Sequence, residues 1–257
     1  MGLAKSYRAL KHKAGDYYWD KYEKYSFLRS CPPSAKLLDV GCGNDSPKQA
    51  KASRPDLYYV GIDVGEYNQS DASRVAADQY IIVPSQEFAP RIQSMRGEFD
   101  AVISNHNLEH CDDPTACLAA MLDALKPGGR IFLAFPCEKS VAFPSRTGTL
   151  NFFDDPTHKV VPRFDKVCSV IAAHGLRLEV VRRRYRPLSR VIQGLKAELR
   201  SRREGRVLPG TWALYGFETV IWASKDPDRS GTTDGAVPGR AEETPQGTRS
   251  AAPTSAA

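Results

Sequence analysis

Two glycines and one aspartate near the start of the chain have the types and spacing of a nucleoside site. Gly41 and Gly43 alternate directly after the apolar run 37–40, and Ser46-Pro47 then opens a predicted helix. Glycines placed this way let the backbone approach a ligand, and a helix N-terminus offers unpaired N–H groups. Asp63 ends the next apolar run, where its carboxylate can accept hydrogen bonds from both hydroxyls of a ribose. The pattern indicates a ligand that contains adenosine.

Four segments occur in an order that resembles a known family. This set is similar to the class I S-adenosylmethionine-dependent methyltransferases, in the broad group of the ubiquinone-biosynthesis methyltransferases. The segments are LLDVGCG (37–43), YVGID (59–63), FDAVISNHNLEH (99–110) and LKPGGRIFLAFP (125–136). The resemblance covers residues 35–175. It implies an enzyme with S-adenosyl-L-methionine as its cofactor and a Rossmann-like, doubly wound α/β fold.

The resemblance also assigns roles in binding the methyl donor. Asp39 is placed like the family's acidic residue near the methionyl ammonium group, and Asn105 like the residue that lines the methionyl pocket. Many relatives hold the adenine amino group with an aspartate after the third strand. This chain has IIVPSQEF (81–88) there, so Ser85, Gln86 or Glu87 would have to serve. The predicted donor site comprises Asp39, Gly41, Cys42, Gly43, Asp63, Val64, Ser85, Gln86 and Asn105.

Three histidines are candidates for a catalytic base. A hydroxyl acceptor must lose its proton, because a neutral alcohol is a poor nucleophile, and imidazole titrates near neutral pH. His106 and His110 follow the fourth predicted strand, at the crevice of this topology, and His158 lies on the long connection that would roof the acceptor. The LEH signature of the resembling enzymes favours His110. A structural or hydrogen-bonding role is the alternative for each histidine.

The same residues raise the question of a metal. Some relatives bind a divalent ion through Glu-x-x-Glu-His, and the matching positions here are His106, Glu109 and His110, with histidine in place of the first glutamate. Imidazole and carboxylate ligands at this spacing could hold such an ion. Most enzymes with the LEH signature work without metal, so we predict no metal site.

The elements that must position these residues follow from the apolar pattern. Short apolar runs alternate with helical periods from residue 35 onward, which predicts a parallel sheet with helices on both faces. The resemblance implies seven strands in the order 3-2-1-4-5-7-6, with the last strand antiparallel. The predicted strands are 36–40, 57–62, 79–83, 99–104, 130–135, 177–185 and 213–224.

Three further segments flank or interrupt a methyltransferase domain over 35–224. Aromatic and basic residues over 1–34 predict an N-terminal helical lid, with packing onto the sheet edge as the alternative. Residues 187–208 predict a basic helical insertion with one apolar stripe. Residues 225–257 contain no Ile, Leu, Met or aromatic residue, so we expect a disordered tail.

The positive charge of the chain is local. The net charge is +6, but residues 182–206 alone carry +8 and the remainder −2. A basic amphipathic helix can lie on an anionic membrane, or its arginines can pair with phosphates or carboxylates of a substrate. A plain solvated face is the simplest alternative. Since the aromatic residues lie elsewhere and no recognition module is visible, we expect no nucleic-acid partner.

Composition restricts the compartment. No apolar run approaches the roughly 18 residues of a membrane span, and no signal-peptide core is present. The six cysteines include no CxxC pair, which favours reduced thiols in the cytoplasm. We therefore predict a cytoplasmic methyltransferase that contacts the inner membrane face through residues 187–204. Its acceptor would be a hydroxyl of a sugar, lipid-linked glycan or small metabolite. An RNA methyltransferase and a non-catalytic interaction module are the alternatives.

Overall fold

The computed structural model describes residues 21–227, which contain a seven-stranded sheet flanked by helices. The strands are β1 (Lys36–Val40), β2 (Tyr58–Asp63), β3 (Gln79–Ile82), β4 (Phe99–Asn105), β5 (Leu125–Pro136), β6 (Leu176–Arg182) and β7 (Glu218–Lys225). The α-helices are α1 (Lys24–Arg29), α2 (Ser46–Ser53), α3 (Asp71–Ala76), α4 (Ser85–Gln93), α5 (Pro114–Ala124), α6 (Phe164–Ala173), α7 (Leu188–Glu204) and α8 (Thr211–Tyr215).

The strand order is β3-β2-β1-β4-β5-β7-β6, as predicted. β1 pairs in parallel with both β2 and β4, whereas β7 runs antiparallel to β5 and β6. The chain therefore winds outward from β1 in one direction and returns through β4 in the other. This confirms the predicted Rossmann-like, doubly wound sheet and leaves a crevice where the carboxyl ends of β1 and β4 diverge.

The predicted last strand is too long. Residues 213–224 do not form one strand, because Thr211–Tyr215 are helical and β7 begins only at Glu218. Gly210 and Gly216, which flank this short helix, both have positive φ. Glycine adopts that backbone conformation without the steric penalty of a side chain, so the two residues set the ends of α8.

The two faces of the sheet bury separate apolar layers. Adjacent residues Leu37 and Leu38 of β1 belong to different layers, because successive side chains of a strand point to opposite faces. One layer contains residues of α4, α5 and α6, including Phe88, Met121 and Ile171. The other contains residues of α1 and α2. Both faces are thus covered, as a parallel sheet requires.

Helix α1 both packs on the sheet and borders the crevice. Phe27 is fully buried, with its ring centroid 5.8 Å from that of Phe132 and 5.4 Å from that of Trp222. Lys24 and Tyr25, on the same helix, line the crevice. Helix α1 thus packs on the sheet and borders the crevice, and the lid over residues 1–34 stays a prediction. Residues 1–20 and 228–257, with the rest of the predicted lid and most of the predicted tail, lie outside the described residues.

The long connection after β5 is held by one carboxylate and one arginine. Asp154 Oδ2 accepts hydrogen bonds from the backbone N–H groups of Arg146, Leu150 and Asn151 at 2.8–3.0 Å. The Arg146 side chain, 3% exposed, donates to both carboxylate oxygens of Glu198 on α7 at 2.8 and 3.0 Å. These bonds order the connection and attach it to the basic helix.

Helix α7 lies against α8 through glycine. A Cβ built on Gly194 would stand 2.2 Å from the Gly210 carbonyl oxygen, far inside van der Waals contact. Within the described residues, the helices are too short or too polar to cross a bilayer.

We predict that Gly194→Ala lowers the free energy of unfolding by about 1–3 kcal/mol, because the added methyl group must push α7 and α8 apart. Chemical denaturation would measure the change. Lys196→Ala, at an exposed position of the same helix, is the control and should change stability by less than about 0.5 kcal/mol. Equal stability of the two variants would contradict the close contact.

Candidate functional site

A cleft of about 1100 Å³ opens at the carboxyl ends of the central strands. Asp39 and Gly41 line it from the end of β1, Asp63 from the end of β2, and Asn105 from the end of β4. Residues after β5 and around α8, including His158 and Trp212, form the opposite wall. The cleft therefore has one side built from the glycine turn and another built from the long connection and the insertion.

The glycine turn cannot carry larger residues. Gly41 has φ +76°, and a Cβ there would lie 2.7–2.9 Å from side-chain atoms of Asn107. A Cβ on Gly43 would lie 3.2 Å from Tyr67. Both residues line the cleft, so the turn brings its backbone to the cleft wall, where a ligand can approach it.

Asp39 is buried at the inner end of the cleft. Its Oδ2 accepts hydrogen bonds from the Ser46 hydroxyl and the Tyr59 hydroxyl, both at 2.5 Å. Burial raises the pKa of this carboxyl, and the nearby Lys24 ammonium acts in the opposite direction. The site thus holds a carboxylate whose charge is poorly solvated and would be stabilised by a cationic ligand group.

Asp63, like Asp39, is a buried carboxyl with a raised pKa. The side chain is 6% exposed, and burial raises its pKa to about 6, against hydrogen bonds from the backbone N–H groups of Val64 and Gly43. The Val64 N–H donates to Oδ1 at 2.7 Å. No lysine, arginine or histidine of the described residues forms a salt bridge with Asp63, so its remaining hydrogen-bonding capacity is available to a neutral hydroxyl-bearing ligand.

Three predicted donor-site side chains do not line the cleft. Ser85 and Gln86 are exposed at the start of α4, apart from the lining residues. The Cys42 thiol faces β2, where a Cβ on Gly61 would lie 2.7 Å from its sulfur, and burial raises the pKa of this thiol far above its usual value. The role of Ser85 and Gln86 in holding adenine stays a prediction.

His106 is a partly buried, ion-paired group and a poor candidate for the base. Its Nδ1 lies 3.0 Å from Glu109 Oε1 and its Nε2 lies 2.8 Å from Glu218 Oε1. Burial alone would lower the pKa of His106, but the hydrogen bonds to Glu109 and Glu218 outweigh it and raise the pKa to about 10. A protonated imidazole with both nitrogens bonded cannot accept a proton at neutral pH. His106 as the base stays a prediction, and this geometry disfavours it.

The other two histidines meet beside Glu109. The ring centroids of His110 and His158 are 4.8 Å apart, and one ligand atom each from Glu109, His110 and His158 lie within 4.8 Å of one another. Glu109 is 0% exposed, and its Oε2 receives no hydrogen bond from the described residues. The structure thus brings two predicted bases together and adds a carboxylate that the base prediction did not include.

Hydrogen bonds fix which nitrogen of each histidine is basic. His158 Nδ1 lies 2.6 Å from the Phe152 carbonyl oxygen, which can only accept, so Nδ1 carries the proton. His110 Nδ1 faces the Thr157 hydroxyl oxygen at 3.0 Å, and that hydroxyl donates to Asp155 at 2.5 Å. In the neutral form each histidine therefore presents an Nε2 lone pair, the form that takes up a proton or binds a metal.

Sequence reasoning missed Asn107, Tyr67 and Trp212, all of which line the cleft. Asn107 lies inside the quoted NHNLEH segment, where its contact with Gly41 depends on how the chain turns after β4. Trp212 lies 5.2 Å from His106 between ring centroids, on α8, of which only residues 213–215 were predicted as strand. No local pattern marks these positions.

We predict that His106 titrates far above an ordinary histidine. Its folded pKa of about 10 exceeds the unfolded value of about 6.5, so the stability it contributes is complete below about pH 6.5 and is lost as pH rises through about 10. Histidine-selective NMR titration, with the resonance assigned by its absence in His106→Gln, should give a midpoint above about pH 8.5. A midpoint below about pH 7 would contradict the two-carboxylate arrangement.

Comparison with known proteins indicates the family of this chain. A family model described as a methyltransferase domain matches residues 10–180. Ubiquinone biosynthesis O-methyltransferase of Pseudomonas aeruginosa (strain LESB58) is 31% identical over 147 residues, which are 50% of this chain and 60% of that protein. The enzyme of the same name from Acinetobacter baylyi is 28% identical over 137 residues, covering 46% and 56%. The chain thus spans less than two thirds of the length of these curated relatives.

Solved structures share the fold at low sequence identity. An S-adenosylmethionine-dependent methyltransferase from Mesorhizobium loti superposes with a TM-score of 0.53 at 16% identity, over 78% of this chain and 96% of that one. Geranyl diphosphate C-methyltransferase from Streptomyces coelicolor gives a TM-score of 0.54 at 14% identity, over 79% and 75%. Because the family model matches more than half of the chain, the protein belongs to the methyltransferase-domain family, and it shares the fold of S-adenosylmethionine-dependent methyltransferases.

Proposed function

We propose that the donor is held by the glycine-turn side of the cleft. Asp39 would face the methionyl ammonium group, Asn105 the methionyl chain, and Asp63 with Val64 the ribose. The support is a fit between groups: the turn at Gly41 and Gly43 brings backbone to the cleft wall, and two buried carboxylates with raised pKa values border the cleft. When bound, S-adenosylmethionine supplies a methyl group on a positively charged sulfur. The protein must then orient an acceptor oxygen and remove its proton.

We predict that Asp63→Asn weakens donor binding about tenfold to a few hundredfold while it stabilises the ligand-free protein. The folded pKa of about 6 lies above the unfolded value, so stability from the neutral carboxyl is lost as pH rises through about 6. An uncharged amide avoids this loss, worth on the order of 1–2 kcal/mol at neutral pH. Calorimetric titration with S-adenosylmethionine and thermal unfolding would measure both effects.

Asp71→Asn is the matched control, since Asp71 is exposed on α3 and its side chain pairs with Arg74 at 3.0 Å. It should leave donor affinity unchanged. Wild-type donor affinity in Asp63→Asn would contradict the assignment of Asp63 to the donor site. The absence of any donor binding by folded wild type would remove the site itself.

We propose O-methylation of a small-molecule acceptor, with His110 as base and His158 as its neighbour. The observation that carries this proposal is the pair of Nε2 lone pairs beside the buried Glu109 carboxylate in the cleft. In this scheme the acceptor hydroxyl proton passes to His110 Nε2, and the negative charge of Glu109 stabilises the resulting imidazolium. The backbone carbonyl of Glu109 also accepts a hydrogen bond from the Lys159 N–H at 2.8 Å, which holds the two segments together.

The acceptor class follows from the charges of the cleft. The lining includes six carboxylates against three lysine or arginine side chains; the carboxylates are Glu23, Asp39, Asp63, Glu109, Asp155 and Glu218, and the cations are Lys24, Lys159 and Arg190. Such a lining repels the phosphates of a nucleic acid, so it disfavours the RNA alternative. The Pseudomonas relative is named for O-methylation of a small molecule. We propose a hydroxyl of a sugar, a lipid-linked glycan or another small metabolite, and a lipid-linked acceptor would suit membrane contact through residues 187–204.

We predict that His110→Asn lowers kcat roughly 100-fold or more, with donor affinity unchanged. Release of S-adenosylhomocysteine would be measured with sugars, phenols and lipid-linked glycans as acceptors. His174→Asn is the control, because His174 lies at the end of α6 and bonds the Val170 carbonyl. Full activity of both His110→Asn and His158→Asn would refute the histidine base. No release with any acceptor, from protein that binds donor, would refute an oxygen acceptor of these classes.

The same three residues fit a divalent cation, although we predicted no metal. A buried carboxylate oxygen without a hydrogen-bond donor and two imidazole nitrogens are suitable ligands. Glu109, His110 and His158 would hold the cation, which would lower the pKa of a coordinated hydroxyl. Calorimetric titration of donor-free protein with Mn²⁺, compared with the same titration of Glu109→Gln, tests whether these three residues bind a cation. Binding that the variant abolishes would make His110 a cation ligand and remove it as the base, and no binding would leave His110 as the base.

A further inference from the structure

The solvent face of α7 carries an apolar stripe that the fold does not use. Leu188, Ile192, Leu195 and Leu199 are 60%, 41%, 61% and 78% exposed. Their spacing of four, three and four residues places them on one face of the helix. Large apolar side chains grouped in this way mark a surface that contacts a partner.

The exposure of the stripe does not result from loose attachment of the helix. On the opposite side Gly194 and Ser201 are buried, and Glu198 bonds the buried Arg146 and accepts from the Tyr215 hydroxyl at 2.7 Å. Pro187 and Arg190, at the start of the helix, line the cleft. One side of α7 is therefore fixed to the domain while the other presents leucines to solvent.

The basic residues of this segment divide into two groups. Arg182, Arg183 and Arg184 lie over the rings of Tyr22, Phe164 and Phe143, and Arg186 donates to the Leu214 carbonyl oxygen. These four stabilise the fold. Lys196, Arg200 and Arg203 are instead exposed beside the stripe.

The second group has little acidic neutralisation. Arg200 approaches Glu204 only at 3.5 Å, and Glu204 also pairs with Arg206 at 2.5 Å. The exposed face thus combines leucines with an excess of positive charge. That combination is complementary to a membrane surface, in which anionic headgroups cover apolar acyl chains.

We propose that α7 is a peripheral membrane-binding surface, with its leucines at the acyl boundary and its cationic residues among anionic lipid headgroups. Two copies of α7 facing each other would instead bring like charges together, which disfavours a second copy as the partner. The surface does not depend on the identity of the acceptor. If the proposed function also holds, its position beside Pro187 and Arg190 would bring the cleft rim near the lipid and suit a lipid-linked acceptor.

Flotation of the full chain with vesicles tests the proposal. We expect binding to vesicles that contain phosphatidylglycerol, at least about tenfold weaker binding to phosphatidylcholine alone, and weakening by salt. Leu195→Glu combined with Leu199→Glu should reduce binding at least about tenfold. Val75→Glu is the matched control, because Val75 is an 85% exposed apolar residue on α3, and it should bind as wild type does.

Thermal unfolding and donor titration of each variant show that loss of flotation is not loss of folding. No flotation of wild type, or wild-type flotation of the double variant, would overturn the proposal. Concentration-dependent dimers that only the double variant loses, without vesicle binding, would assign the stripe to a second copy and likewise overturn it. Because vesicle binding is measured without donor or acceptor, its outcome is separate from that of the methyl-transfer assays.

Discussion

The reversal of strand order at β1 and β4 is the constraint on which the rest of the structure depends. Connections leave β1 toward β2 and β3 on one side and return through β4 and β5 on the other, so the connecting helices diverge at the point between β1 and β4. Backbone groups and side chains at the carboxyl ends of these strands are left facing the same opening. The glycine turn after β1, the carboxylate at the end of β2 and the histidines after β4 therefore converge, although they are far apart in sequence.

The ionisable side chains at this opening are of two kinds: some are paired within the fold, and others would gain interactions from a bound ligand. His106 is satisfied: two carboxylates hold both of its nitrogens, and its unusual φ of +54° is fixed by the contacts around it. Asp63 and Asp39 accept hydrogen bonds but form no salt bridge among the described residues, and burial raises the pKa of each. Residues kept in an unfavourable electrostatic environment are typical of binding sites, where the ligand supplies the missing interactions.

Much of this arrangement could be predicted from the sequence, and the failures have identifiable causes. Gly41, Gly43 and Asp63 could be read directly, because backbone approach and strand-end position depend on local pattern. The ion pair of His106 could not, since Glu218 comes from the other end of the chain. The helical state of 211–215 was hidden by its apolar composition, which suits a strand equally well. The meeting of His110 with His158 depends on the path of a long connection, which no periodicity describes.

Arg146 connects the long connection that borders the cleft to helix α7. Its guanidinium is bonded to Glu198 of α7, while its backbone N–H is bonded to Asp154, in the turn that also presents the Phe152 carbonyl to His158. Order in the helix and order in the histidine-bearing turn are consequently linked quantities. The coupling free energy through Arg146 is the same in both directions. Order in the helix therefore stabilises the docked turn by this coupling free energy, and an acceptor that orders the turn stabilises the docked helix by the same amount.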